Sequence, residues 1–126
     1  MSDILTITNI TRSWRGSGEN ALRLIVSLRV NNTSTTDPTA LLQVVFTFPA
    51  AYGTLSVFQN PAGWTGVASG NTVTFTATTQ VSAGGFRLFT NGIIQVQTRP
   101  ASPPLIQIAA TATGFVSGSG TVTPPA

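Results

Sequence analysis

The sequence contains no cysteine and no histidine, and its six basic residues are all arginine, so lysine is absent as well. Without cysteine there is no disulfide framework and no thiol nucleophile. Without histidine, the usual zinc sites and imidazole acid–base catalysis are excluded. A serine nucleophile would also lack a histidine or lysine base. These absences predict a non-catalytic protein with no metal and no cofactor.

Charge of either sign is scarce. Charged residues make up 7% of the chain, whereas ordinary soluble domains carry about 25%. The net charge of +3 comes from arginines scattered along the sequence. Because nucleic-acid binding needs several cations on one face, a nucleic-acid partner is not predicted. The acidic residues Glu19 and Asp37 flank one predicted strand at opposite ends, so neither a carboxylate pair nor a calcium cluster is predicted. Either something other than charge keeps this surface in solution, or much of it does not face solvent.

The chain of 126 residues has room for one domain with one hydrophobic core, and we predict a single domain over residues 1–126. Its start leads directly into an alternating segment without the basic and apolar regions of a signal peptide. Its apolar runs are too short to cross a bilayer, so no membrane insertion is predicted. Localisation stays open, with the cell surface, an extracellular filament or a virion favoured.

Alternation of apolar and polar residues with a period of two dominates the sequence, and this period is typical of half-buried strands. The clearest case is the segment 21–30, where five aliphatic residues fall on one face and two arginines and a serine on the other. The same pattern precedes Pro49 and recurs over residues 72–78, where threonine would form a ladder on the outer face. No segment has the helical period of 3.6, so we predict no helix. The predicted inward residues are Leu24, Val26, Leu28, Val44, Phe46, Val73 and Phe75.

Turn-forming residues, including a glycine-rich turn at residues 16–18, separate these segments at the spacing of an all-β fold. Asn91-Gly92, between two apolar runs, predicts a β-hairpin with a type I′ turn. The apolar segment 105–113 predicts a strand covered on both faces, and the tail 114–126 predicts either a last strand or a loose end. Together the patterns predict an all-β fold, an antiparallel two-sheet sandwich of about seven to nine strands, immunoglobulin-like with Greek-key connections.

The aromatic residues outside the alternating faces are the candidates for a binding site. Trp14 and Trp64 lie in turn-rich segments, where the indole either seals an open end of the sandwich or presents a flat ring to a sugar or a protein partner. Tyr52, Gln59 and Asn60 supply further candidate contacts for a glycan or a partner. No catalytic or metal-binding residue is predicted.

Several short motifs follow one another between roughly residues 13 and 90. They are Ser13-Trp14, Val30–Thr33, Val45–Pro49, Gly63-Trp64 followed by Ser69–Thr74, and Ala83–Phe86. This order resembles that of family 2 carbohydrate-binding modules of bacterial polysaccharidases. The resemblance implies an immunoglobulin-like sandwich that binds cellulose or xylan through exposed tryptophans, with Trp14 and Trp64 at two of those positions. The chain departs from that family in lacking its disulfide cysteines and in carrying no tryptophan near Thr78–Gln80.

Two functions are open at this point. The first is a structural protein that assembles with copies of itself or docks on a larger lattice, as a filament subunit, a surface layer or a virion decoration protein. It is favoured because a chain without lysine lacks a usual protection of edge strands. The candidate assembly strand spans residues 1–12, with Ile4, Leu5, Ile7 and Ile10, and it either pairs within its own sheet or adds to a neighbour's edge. The second is a carbohydrate-binding module that stacks polysaccharide on exposed tryptophans.

Overall fold

The structure is a computed structural model, and it describes residues 3–15, 22–39 and 42–125. This part of the chain is all-β apart from a 3-10 helix at Ala50–Tyr52, so the predicted fold class is confirmed. No helix among these residues is long and apolar enough to span a membrane. The predicted turn at residues 16–18 lies outside the described residues. The strands are β1 (Asp3–Arg15), β2 (Arg23–Asn32), β3 (Leu42–Thr47), β4 (Leu55–Gln59), β5 (Trp64–Ser69), β6 (Thr72–Ala77), β7 (Phe86–Val96), β8 (Ile106–Ala112), β9 (Phe115–Val116) and β10 (Gly118–Val122).

The strands form two five-stranded sheets, which together hold slightly more strands than predicted. The strand order is β4-β7-β2-β1-β9 in the first sheet and β10-β8-β3-β6-β5 in the second. The ladders are antiparallel except for a short parallel one between β1 and β9. Among the described strands, only β1–β2 and β5–β6 join strands that are consecutive in the chain. Strands β8 and β10 are close in sequence, and every other ladder joins strands that are distant in sequence, as Greek-key connections require.

The alternating segments form strands because one set of side chains on each strand is buried between the two sheets. In β2 the inward residues Leu24, Val26, Leu28 and Val30 are all buried, and the residues between them are half-buried. The same alternation holds along β3 and β6. The inward faces predicted from the sequence are therefore confirmed.

Aromatic rings fill the middle of the core. The Phe46 ring lies 5.8 Å from that of Phe75 and 5.6 Å from that of Phe89, measured between centroids. Phe75 and Phe89 are 4.8 Å apart in an edge-to-face arrangement, which is the geometry that aromatic quadrupoles favour. These rings come from β3, β6 and β7, so they hold the two sheets together.

The Asn91-Gly92 pair does not form the predicted hairpin. β7 runs through both residues without reversing, and its register with β2 shifts there, opposite the step from Val26 to Leu28. Asn91 has the positive φ of 56° that the sequence signal implies, but Gly92 does not, and a type I′ turn needs both. Because a single residue at positive φ also fits a β-bulge, the signal corresponds here to a bulge inside a long strand.

Strand β8 also differs from its prediction. Ile106, Ile108 and Ala110 are buried, whereas Gln107 between them is exposed. The strand is therefore covered on one face only, and small residues on its other face gave it the composition of a fully buried strand. The tail that follows contains β9 and β10, and β10 pairs antiparallel with β8.

Candidate functional site

The two tryptophans lie at opposite margins of the sandwich. Trp14 is near the end of β1, which packs against β10, whereas Trp64 begins β5, which packs against β4. The strand orders place β1 and β4 on opposite sides of the first sheet. The two indoles therefore do not form one binding platform.

Trp64 is a core residue in this structure rather than an exposed ring. It is 3% exposed, and its ring packs edge-to-face on Phe89 at 5.3 Å. Its indole N–H donates a hydrogen bond to the carbonyl of Leu88 at 3.0 Å. This placement matches the sealing role and leaves no ring face for stacking on a sugar.

Trp14 is half-buried and joins β1 to the C-terminal segment. Its indole N–H donates to the carbonyl of Pro125 at 2.6 Å, and the guanidinium of Arg99 lies 4.7 Å from its ring centroid. The ring is thus in contact with the Arg99 guanidinium and also packs against the hydrophobic core. Its interactions tie the chain end to the sandwich.

Tyr52 is fully buried in the 3-10 helix. Its hydroxyl donates a hydrogen bond to the carbonyl of Pro104, and its ring packs edge-to-face on Phe48 at 5.3 Å. Burial disfavours the charged phenolate and raises the pKa of Tyr52 to about 12. The side chain is therefore a neutral core residue and offers no contact to a ligand.

Gln59 and Asn60 are exposed, but the side-chain amide of each forms a hydrogen bond with the backbone of another residue of the chain. Gln59 Nε2 donates to the carbonyl of Asn91 at 3.3 Å. Asn60 Oδ1 accepts from the N–H of Gly66 at 2.9 Å, and Gly66 belongs to β5 at the edge of its sheet. Asn60 therefore occupies one of the backbone donors through which an edge strand recruits another strand.

The candidate assembly strand is the first part of β1, and it pairs with β2 of the same chain. Leu5 is fully buried, and Ile7 and Ile10 are half-buried against the core. Ile4 points outward and is 48% exposed, next to the exposed Val116 of β9. Three of the four predicted residues thus stabilise the chain's own sandwich, and Ile4 is available at its surface.

Acid–base groups do not converge within the described part of the chain. No group of three or more histidine, cysteine, aspartate or glutamate residues there is placed to hold a metal ion. Glu19 lies outside the described residues, and Asp37 is exposed in the loop after β2. The remaining candidates for function are the two outer faces of the sandwich.

The outer face of the second sheet carries no charge at any described position. We call it the Thr face, and it consists of the outward residues of β3, β5, β6, β8 and β10. The ladders align these residues into rows across the sheet. The middle row is Ser119, Ala109, Val45, Thr74 and Val67, and the flanking rows contain mostly threonine with Gln43, Gln107 and Ser69.

The Thr face has a groove at one end and an exposed valine at the other. A groove of about 400 Å³ lies over β8 and β10, where the outward side chains of Ala109 and Ser119 are small. At the opposite end, Val67 on the edge strand β5 is 65% exposed. A depression and an exposed apolar side chain therefore lie on the same middle row of one uncharged face.

The outer face of the first sheet is different in chemistry. We call it the Arg face, and it consists of the outward residues of β1, β2, β4 and β7. The guanidinium of Arg23 lies 3.7 Å from the ring centroid of Phe58, and that of Arg29 lies 3.7 Å from that of Phe86. Phe58 and Phe86 remain 44% and 50% exposed, and Leu88 beside them is 55% exposed.

A hydrogen-bonded network holds one end of the Arg face. Arg29 Nε donates to Asn31 Oδ1 at 2.8 Å, and the Asn31 amide nitrogen donates to the hydroxyls of Thr6 and Thr8 at 3.2 and 3.0 Å. The network spans β1 and β2 and holds Nε of the Arg29 guanidinium. The guanidinium of Arg29 is therefore oriented by the chain's own side chains.

The arginine–phenylalanine pairs were not predicted from the sequence. The alternation in β2 does place Arg23 and Arg29 on the outward face, and that signal was available. Their aromatic partners lie on β4 and β7, and the pairing of these strands with each other and with β2 is long-range. No local pattern reveals such a pairing.

No family model and no curated protein sequence matches the chain, whereas solved structures match its fold. An uncharacterised protein from Nocardia farcinica, described as having an immunoglobulin-like fold, superposes with a TM-score of 0.59 at 18% identity over 93% of this chain and 98% of that one. The sixth cohesin of Acetivibrio cellulolyticus scaffoldin B gives 0.48 at 9% identity over 94% and 97%. The major pilin subunit BcpA of Bacillus cereus gives 0.47 at 12% identity over 98% of this chain and 39% of that one. The chain thus has an immunoglobulin-like fold.

Proposed function

We propose that this chain is a non-catalytic structural module that assembles with copies of itself through the Thr face. The observation that carries the proposal is the absence of charge from every described outward position of a five-stranded sheet. A filament, a surface layer or a virion would supply the setting for such a module.

Self-contact favours an uncharged face for an electrostatic reason. In a two-fold symmetric contact the same patch meets itself, so each charge near the axis lies close to its own copy. Burying a charge there would also cost desolvation. Threonine, serine, glutamine and valine carry neither cost, and their hydroxyl and amide groups can hydrogen-bond across the contact.

The shape of the Thr face supports the same arrangement. A two-fold axis near Val45 and Thr74, in the centre of the middle row, would place Val67 of each copy over the groove at Ala109 of the other. Five strands spaced about 4.8 Å apart and about 17 Å long present roughly 400 Å² in projection. A stable interface buries about 800 Å² on each partner. One such contact is therefore weak, and stable assembly requires repeated contacts.

The carbohydrate-binding alternative has less support. Trp64 and Tyr52 are buried, and the ring of Trp14 is held by Arg99 and the chain end. Stacking on a sugar needs an open, flat aromatic face. The exposed rings of Phe58 and Phe86 are each paired with an arginine.

Sedimentation velocity over a range of protein concentrations tests the proposal. The wild-type chain is expected to form larger species as concentration rises. Val67→Lys puts a charge on the Thr face and should shift the chain to monomer. Thr36→Lys, which adds the same charge to the exposed loop after β2, is the control and should behave like wild type. A wild-type chain that stays monomeric at millimolar concentration, or equal behaviour of the two variants, would refute the proposal.

A further inference from the structure

We propose that the Arg face binds an acidic segment of a different protein, which brings carboxylates to Arg23 and Arg29 and apolar side chains to the surface near Leu88. This inference concerns the sheet opposite the Thr face and does not depend on self-assembly. It rests on the pairing of two arginines with two exposed aromatic rings on one face.

The geometry of the two guanidinium groups suits carboxylates. In each pair the guanidinium carbon lies over the centre of the phenylalanine ring. A guanidinium stacked in parallel on a ring keeps its N–H donors, which lie in its own plane, available at its rim. Among the described residues, the Arg29 guanidinium donates a hydrogen bond only through Nε, to Asn31. A guanidinium with its outer N–H groups unused is the fork that binds a carboxylate through two parallel hydrogen bonds.

The charge of the Arg face calls for a partner that is rich in acid. No described outward position of β1, β2, β4 or β7 is an aspartate or a glutamate. A second copy of this chain is a poor source of carboxylates, because it has three acidic residues in all, at positions 3, 19 and 37. Two copies meeting through this face would also bring like charges together. The complementary partner is therefore another protein.

Spacing and composition favour a protein over a nucleic acid. Arg23 and Arg29 are six residues apart on β2, which corresponds to about 20 Å along the strand. Binding to a phosphate backbone depends on several cations in line. This face instead has Arg15 opposite Arg23 at one end and Arg29 at the other, with exposed apolar groups beside the two stacked pairs. Arginine and aromatic residues around apolar surface are the composition of protein–protein contact centres.

The test is an NMR titration of the isotope-labelled chain with poly-L-glutamate in low salt, in which the amide chemical shifts report binding. A thymidine oligonucleotide serves as the second polyanion. Wild type is expected to show shifts concentrated on β2, β4 and β7 and tighter binding of poly-L-glutamate than of the oligonucleotide. Added salt should weaken the binding, because the contact is charge-dependent.

Paired variants separate the Arg face from net charge. Arg23→Gln with Arg29→Gln should raise the Kd for poly-L-glutamate at least about tenfold. Arg12→Gln with Arg99→Gln removes the same charge elsewhere and should change it less than about twofold. Equal losses in the two double variants, no binding by wild type, or tighter binding of the oligonucleotide would each overturn the proposal. Sedimentation of Arg23→Gln with Arg29→Gln should match wild type, so failure here is distinguishable from failure of the Thr-face proposal.

Discussion

Replacing Phe46 by alanine tests the core that joins the two sheets. Phe46 is fully buried in β3, and its ring contacts Phe75 from β6 and Phe89 from β7. Removal of the ring leaves a cavity between three strands, each of which is paired with a neighbouring strand on both sides. The surrounding backbone is therefore held in place and cannot collapse fully into the cavity.

The expected loss follows from these contacts. A buried phenylalanine replaced by alanine costs about 3–5 kcal/mol, and the two aromatic contacts place Phe46 in the upper half of that range. With a urea m-value of about 2 kcal/mol per molar, the midpoint of unfolding should fall by about 2 M. A domain of this size has a total stability of about 5–15 kcal/mol, so the loss is a large fraction of the free energy of unfolding.

Urea unfolding followed by tryptophan fluorescence measures the effect, because Trp64 packs on Phe89 and reports on the same core. Phe86→Ala is the matched control. It removes the same side chain from the surface, where Phe86 is 50% exposed and contacts Arg29, and should cost about 0.5–1 kcal/mol. A Phe46→Ala loss below about 1 kcal/mol, or one equal to that of Phe86→Ala, would show that the inward face of β3 is misassigned.

Three further predictions concern single side chains. Gly63→Ala should destabilise the chain by about 1–3 kcal/mol in thermal unfolding, because Gly63 has a φ of +83° and an added methyl group meets the guanidinium of Arg87. The control Gly84→Ala, at φ +71° with open space around it, should cost less. Tyr52 has a folded-state pKa of about 12 against 10.0 for the free side chain. Its contribution to the free energy of unfolding is therefore complete below pH 10 and is lost as pH rises toward 12. Tyr52→Phe should abolish this loss of stability at high pH in urea unfolding. Leu5→Ala should cost about 2–5 kcal/mol if β1 stabilises its own sandwich, and unchanged stability with a loss of larger species in sedimentation would instead indicate that β1 crosses to a neighbour.

The sequence identified the strands well because their burial is alternating and local. Residues two apart on one strand share a face whatever their neighbours are, so Val26 and Phe46 could be placed in the core without knowledge of the strand order. Asn91-Gly92 shows where a local signal is ambiguous. Asparagine at positive φ fits a tight turn and a bulge equally well, and the pairing of β7 with β2 decided between them.

The candidate site was harder to predict because its parts come from distant strands. Trp64 lies in a turn-rich sequence, and its burial is set by Phe89 and the carbonyl of Leu88, both on β7. The stacking of Arg23 on Phe58 likewise depends on how β4 is positioned beside β7. Side chains that become neighbours only through long-range pairing leave no pattern in a single sequence.

The strand order has a consequence for the time that this chain spends unfolded. The β5–β6 hairpin closes over a two-residue turn that begins at Gly70, with φ +58°, and such hairpins form within about 1–10 μs. Strands β2 and β3 each have a second edge that pairs only with β7 and β8, which follow much later in the chain. Sandwiches with such long-range pairing fold in about milliseconds to seconds. Throughout that interval the threonine-rich strands lie open with almost no charge to keep chains apart. Yield should therefore depend on how many chains fold at once, and slow synthesis at low temperature should favour the native protein over aggregates.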